Sequence, residues 1–168
     1  MKYHLEGVWP SPSSTVREEV VKFWMTELPS SELAATQERA YQLLVVARDP
    51  NGKIVGVSTA LRMRVVQLGF DCFFYRTFIG QSHRVRGVRS TGLGWKILHE
   101  SYRLLNERFQ QGEDPGVLGL YAEMENPSIM KCRNEAVWQE DGMNFVFIGK
   151  TKSGRHIRVW YFDGARVP

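Results

Sequence analysis

Cysteine is scarce in this chain. Cys72 and Cys132 are the only two in 168 residues, and no C-x-x-C pair occurs, which excludes a zinc knuckle and a dithiol redox motif. Both thiols are expected to be buried or half-buried. Long apolar runs are missing too: stretches such as LLVVA and VFI fall far short of the ~20 residues that a bilayer crossing needs. His4 and Glu6 interrupt the segment after Lys2, so no signal peptide is expected; the protein reads as cytoplasmic, with no membrane partner. Nor is the charge lopsided. Twenty-two basic against 18 acidic residues leave a formal +4, which admits an anionic ligand without specifying one. The four histidines lack metal-ligand spacing with carboxylates, so no metal is expected.

What is present suits an ordinary globular protein. An apolar fraction of 43% with 24% charged residues is too hydrophobic for disorder and ample for one core. No repeat, low-complexity tract or linker interrupts the chain, so residues 1–168 are expected to form a single domain. After a weak strand at 2–8, STVREEVVKFWMTEL starts with a capping box, Thr15 and Glu18, and places Val16, Val20, Phe23, Trp24 and Leu28 at helical spacing. Pro29 ends that helix, and a second follows with a serine cap. Two β-branched runs flank the turn residues Asp49 to Gly52, a hairpin signature. FDCFFYRTFIG supplies a long strand. Leu93, Ile97, Leu98, Leu104 and Leu105 mark a helix face to about Phe109. VLGLYAEM reads as a strand, 126–140 as a helix with Pro127 in its first turn and Gly142 as its stop, and NFVFIG with IRVWYFD as a terminal hairpin.

The stretch Arg84 to Leu98, RVRGVRSTGLGWKIL, combines arginines with Gly92 and Gly94 just before a helix. Bare amides at a helix start, where the macrodipole adds positive charge, attract anions, and missing Cβ atoms let a phosphate approach. Two readings stand: a basic loop that merely turns, or a phosphate cradle. Neither the Walker pattern nor the dinucleotide fingerprint fits.

Arg89-Ser90-Thr91-Gly92-Leu93-Gly94 resembles the Q/R-x-x-G-x-G/A signature of the GNAT superfamily of acyl-CoA-dependent N-acyltransferases. The element order is similar over nearly the whole chain, LGLYAEMENPSIM resembles the family's fifth strand and the Asn after it, and WQEDGM resembles its Y-E-x-x-G-F helix end. The resemblance implies an α/β (α+β) fold: a mixed, mostly antiparallel sheet of six or seven strands with the fourth and fifth splayed apart, flanked by about four helices. It implies acetyl-CoA as co-substrate, its diphosphate held by amides of Arg89, Ser90, Thr91, Gly92, Leu93 and Gly94. Backbone near His83, Arg84 and Val85 would pair with the pantetheine arm, and Asn126 would hydrogen-bond it. The implied activity is acetyl transfer to a primary amine of a small molecule, peptide or protein by direct attack on the thioester.

One position departs from the family pattern: Trp138 stands where a tyrosine usually donates a proton, and indole N–H is no acid near neutrality. Tyr121 and Ser128 are the substitute proton donors, Glu123 and Glu125, on one face by alternation, the candidate bases. His99 is expected at the surface; the aromatics Trp24, Phe73, Phe74, Tyr75, Phe78, Trp160, Tyr161 and Phe162 could line an acceptor pocket, but their strand and helix periodicity places them in the core. The alternative reading is a non-catalytic protein of this fold that binds and modulates a partner. Nucleic acid is disfavoured as a partner, since no nucleic-acid motif occurs beside the basic GKTKSGRHIR segment. A homodimer could form if strand 157–162 were an exposed edge.

Overall fold

β-Branched and aromatic runs become strands, and the amphipathic stretches between them become helices. The computed structural model describes residues 2–84 and 92–168. Its strands are β1 (His4–Gly7), β2 (Leu43–Arg48), β3 (Ile54–Val65), β4 (Phe70–Ile79), β5 (Val117–Glu123), β6 (Val137–Glu140), β7 (Met143–Lys150) and β8 (His156–Tyr161). The helices are α1 (Ser14–Glu27), α2 (Leu33–Arg39), α3 (Leu93–Gln110) and α4 (Pro127–Cys132). One mostly antiparallel sheet has the order β1-β2-β3-β4-β5-β8-β7-β6, with β4 and β5 parallel. The expected fold class holds, with eight strands instead of six or seven. Residues cluster into two compact units, one of residues 2–60, 76–84 and 92–101, the other of 61–75 and 102–168; β3, β4 and α3 contribute to both.

In the first unit, α1 is capped by Ser13, whose Oγ accepts the Val16 N–H at 3.3 Å, not by the expected Thr15. Val20, Phe23 and Trp24 of α1 are buried with Leu43, Val46, Ile54 and Val57. Glu32, not a serine, precedes α2 and makes no side-chain cap bond; the Thr36 hydroxyl donates to the Glu32 carbonyl at 2.8 Å. The β2–β3 hairpin turns as expected, with Asp49 Oδ1 accepting the Asn51 and Lys53 N–H groups at 2.9 Å each. Side chains alternate along the end of β4. Phe78 packs edge-on against Phe23 of α1 at 5.7 Å, while Ile79 reaches Gly94 of α3.

In the second unit, Asp71 lies opposite Val117, Phe73 opposite Leu120 and Phe74 opposite Tyr121. Later in α3, the Tyr102 ring stacks on Trp160 at 3.6 Å and its hydroxyl donates to the Tyr161 carbonyl at 2.9 Å. The helix expected over 126–140 stops at Cys132, and Val137–Glu140 is the strand β6. Its apparent stop is a hairpin turn: Asp141 and Gly142 both have positive φ, 49° and 81°, the conformation that Asp-Gly supplies in a two-residue turn between strands. Cys72 is buried as expected, whereas Cys132 is exposed. Burial pushes the Cys72 thiol up to about 12. Strand β8 lies between β5 and β7, so 157–162 offers no edge for dimer pairing.

Strand β8 also crowds β5. A Cβ on Gly119 would stand 2.5 Å from the Trp160 carbonyl oxygen and 2.9 Å from the Tyr161 Cα, backbone atoms that cannot rotate away. Gly119→Ala should lower the unfolding free energy by about 3 kcal/mol in urea denaturation; a change within about 0.5 kcal/mol would contradict this packing.

Candidate active site

The first turn of α3 is pressed flat on the sheet. Leu93 and Ile97 are buried at 3% and 0% exposure, and Gly56 on β3 leaves room for them: a Cβ there would meet Ile97 Cδ1 at 2.9 Å. On the helix side Gly94 does the same, since its Cβ would meet Ile79 Cδ1 at 3.1 Å. The Ser58 and Ser101 hydroxyls, 2.8 Å apart in the core, tie the next turns to β3. The Gly92 carbonyl accepts the Lys96 N–H at 3.2 Å, making Gly92 the residue at which the helix begins. The amides of Leu93 and Gly94 therefore belong to the first turn, which has no intrahelical acceptors and carries the positive end of the dipole. Val85, Arg89, Ser90 and Thr91 lie outside the described residues.

The chain leaving β4 is held firmly. Glu27 at the end of α1 accepts the Gln81 N–H at 2.8 Å. His83 Nδ1 lies 3.1 Å from the Tyr3 hydroxyl, with the rings edge to face. Arg84 donates from Nε to the Ile79 carbonyl at 2.8 Å and places its guanidinium 5.2 Å from the Phe78 ring centre. A guanidinium carries five N–H donors, so this exposed side chain keeps capacity for an anion. Gly92, the first-turn amides and Arg84 thus fit a diphosphate chemically. His99, expected at the surface, is half-buried with its ring 4.6 Å from that of Trp95.

The other sequence candidates lie at the end of β5 in the second unit. Tyr121 is 6% exposed, packs edge-on against Phe74, and donates to Glu123 Oε1 across 3.4 Å, a long and weak hydrogen bond. Burial, with the Glu123 charge adding, pushes its hydroxyl up to about 12. Glu123 and Glu125 converge on one cation: Arg155 lies 3.8 Å from the first and 3.3 Å from the second. Asn126 caps α4, its Oδ1 accepting the Ser128 N–H at 2.9 Å, and both residues are exposed.

Arg155 was missed in the sequence because only the strand register places it. The Thr151–Arg155 turn closes with a 2.9 Å backbone bond and an Arg155 N–H bond to Thr151 Oγ1 at 3.1 Å, and Glu123 pairs with Ile157 across β5 and β8. Arg158 was also missed. Although 1% exposed, it donates to the carbonyls of Phe145, Arg133 and Glu135 at 2.9, 2.9 and 2.7 Å, tying β8 to the segment between α4 and β6. An arginine inside the apolar run IRVWYF was its signal. Trp138 proves to be structural: it sits on β6, not at a helix end, and its Nε1–H donates to Glu140 at 2.9 Å beside Arg133. WQEDGM therefore lies in a strand and a turn, not at the helix end that the resemblance implied. Among the described residues no group of three or more His, Cys, Asp or Glu could hold a metal ion, and no helix is long and apolar enough to cross a membrane.

No protein-family model matches the sequence, and no curated protein is similar to it. Solved structures do match the fold. A GNAT-family acetyltransferase from Streptococcus pneumoniae superposes with a TM-score of 0.59 at 13% identity, over 96% of this chain and 99% of its own. The ribosomal-protein-S5-alanine acetyltransferase from Vibrio fischeri gives 0.59 at 10% identity, over 99% and 96%. Arabidopsis thaliana NAA60, in complex with acetyl-CoA, gives 0.53 at 12% identity, over 97% and 100%. Identities this low speak to architecture alone, and the architecture is plain: the chain has the fold of the GNAT acetyltransferases.

Proposed function

We propose that this protein transfers the acetyl group of acetyl-CoA to a primary amine of a small molecule, peptide or protein. The observation that carries the reading is the glycine-flanked first turn of α3, pinned directly beyond the end of β4 in the fold shared with acetyltransferases. Amides of Arg89 to Gly94, with Arg84 and His83 beside them, would hold the diphosphate, and backbone at Val85 the pantetheine arm. Asn126 spends its Oδ1 on Ser128, so its Nδ2 is the group that would donate to that arm.

Bound in this way, acetyl-CoA supplies an activated acyl carbon; the protein's task is to move protons. Glu123 or Glu125 would take the proton of the acceptor ammonium, directly or through water, freeing the nitrogen to attack. Arg155, shared between them, keeps both carboxylates in one place. Tyr121 and Ser128 are the hydroxyls that would attend the departing sulfur. Tyr121, raised to about 12, is a weaker acid than a thiol near ~8.5. Its contribution is a hydrogen bond to the sulfur, not a full proton transfer.

Three measurements test this reading. Acetyl-CoA at a hundred times its Kd should stabilise the native state by about 2.7 kcal/mol, raising the melting temperature by about 5–10 °C; no shift at millimolar concentration would contradict it. Of Glu123→Gln and Glu125→Gln, the variant that loses the base should cut kcat by roughly a hundredfold or more with little change in acetyl-CoA binding, and an unchanged kcat in both would remove these carboxylates from the mechanism. For Tyr121, the folded state holds the phenolic proton more tightly than the unfolded chain, where it titrates near 10.0. Its contribution to stability is intact below pH 10 and lost as the pH rises toward 12. Tyrosinate absorbance should show a component near pH 12 that is missing from Tyr121→Phe, and a wild-type titration complete near pH 10 would refute that environment.

A further inference from the structure

The chain leaving β4 meets the first residues of the protein: His83 Nδ1 lies 3.1 Å from the Tyr3 hydroxyl, and the two half-buried rings stand edge to face with centres 5.8 Å apart. We propose that Tyr3 is a positioning residue for the cofactor. Its hydroxyl donates to Nδ1, fixes the neutral imidazole with the proton on Nε2, and so presents that N–H to a phosphate oxygen of bound acetyl-CoA. The proposal rests on the acetyl-transfer reading, in which His83 flanks the diphosphate.

The place of the proton follows from what each group can do. A phenol O–H donates more readily than its oxygen accepts, because the lone pair is drawn into the ring, whereas the bare nitrogen of a neutral imidazole is a strong acceptor. Tyr3 has no other hydrogen-bond partner among the described residues. The bond made at one ring nitrogen sets the state of the other, so with Nδ1 accepting, the proton belongs on Nε2. Among the described residues Nε2 has no partner, and it is not buried, which leaves its N–H open to a ligand. Such a ring is a donor and not a base; proton removal stays with the carboxylates.

Strand register puts the pair on the same side of the sheet as the mouth of α3. Gly56 faces α3, since a Cβ there would meet Ile97 and Leu93. Gly56 lies opposite Ala47, and Ala47 opposite Leu5; residues directly opposite share a face. Alternation carries Tyr3, two residues before Leu5, to that same face. Glu6, of the other parity, points toward α1, where it shares Arg48 with Glu19. Tyr3 therefore stands two strand spacings, about 10 Å, across the sheet from the glycine on which the first turn of α3 rests, with the His83 ring beside it.

The test reads the imidazole nitrogens of the full chain by NMR at alkaline pH, the His83 signals being identified by their loss in His83→Ala. Nδ1 should be pyridine-like and Nε2 pyrrole-like, and coenzyme A should move Nε2 the more. Tyr3→Phe, which keeps the ring contact and removes only the hydroxyl, should drive both nitrogens toward a tautomer average. Calorimetry should find coenzyme A bound about three- to tenfold more weakly by Tyr3→Phe, with no further weakening when Tyr3→Phe is added to His83→Ala. A proton found on Nδ1, an unchanged affinity in Tyr3→Phe, or the same loss in the His83→Ala background would overturn the proposal. If the wild type does not bind coenzyme A at all, the acetyl-transfer reading fails and the phosphate contact with it, while the nitrogen shifts still decide whether Tyr3 fixes the ring.

Discussion

The first turn of α3 lies against the sheet where two side chains are missing. Gly56 clears the space that Leu93 and Ile97 occupy, and Gly94 clears the approach of Ile79. A methyl group at Gly56 would meet Ile97 Cδ1 at 2.9 Å and one at Gly94 would meet Ile79 Cδ1 at 3.1 Å, so those side-chain ends would have to shift in a densely packed interior. The helix start is consequently held by core packing. Electrostatic pre-organisation follows without further expense. The amides and the helix dipole face an incoming anion before it arrives, and the protein need not reorganise to meet it.

Alternation along β4 then divides labour within that unit. Phe78 turns to α1 and joins its core, Arg76 lines a pocket against α2, and Ile79 turns to α3. A single strand thereby packs against α1 with one face and against α3 with the other. In the other unit the same economy appears at the end of β5. Tyr121 and Glu123 share a face by the two-residue period, and a hairpin turn carries Arg155 to the carboxylates.

Local patterns in the sequence were enough for most of the fold. Helical spacing of Val20, Phe23 and Trp24 located α1, Asp49 to Gly52 located a hairpin, and Gly92 with Gly94 marked the helix mouth. Asp141-Gly142 was ambiguous, because the same pair can stop a helix or turn a hairpin. The alternating VWQE and MNFV runs on either side, now β6 and β7, were the deciding signal, and short strands of four residues leave little pattern to read. What depends on register could not be read at all. Arg155 meets Glu125 only once β5, β7 and β8 are aligned.

The central claim is that main-chain nitrogens at the start of α3 grip a diphosphate, and amide chemical shifts report on it most directly. On titration with coenzyme A, the N–H resonances of Gly92, Leu93 and Gly94 should show the largest downfield displacements in the spectrum, saturating together with a single affinity. If those three stay in place while coenzyme A binds, or shifts gather at another helix, the account is contradicted.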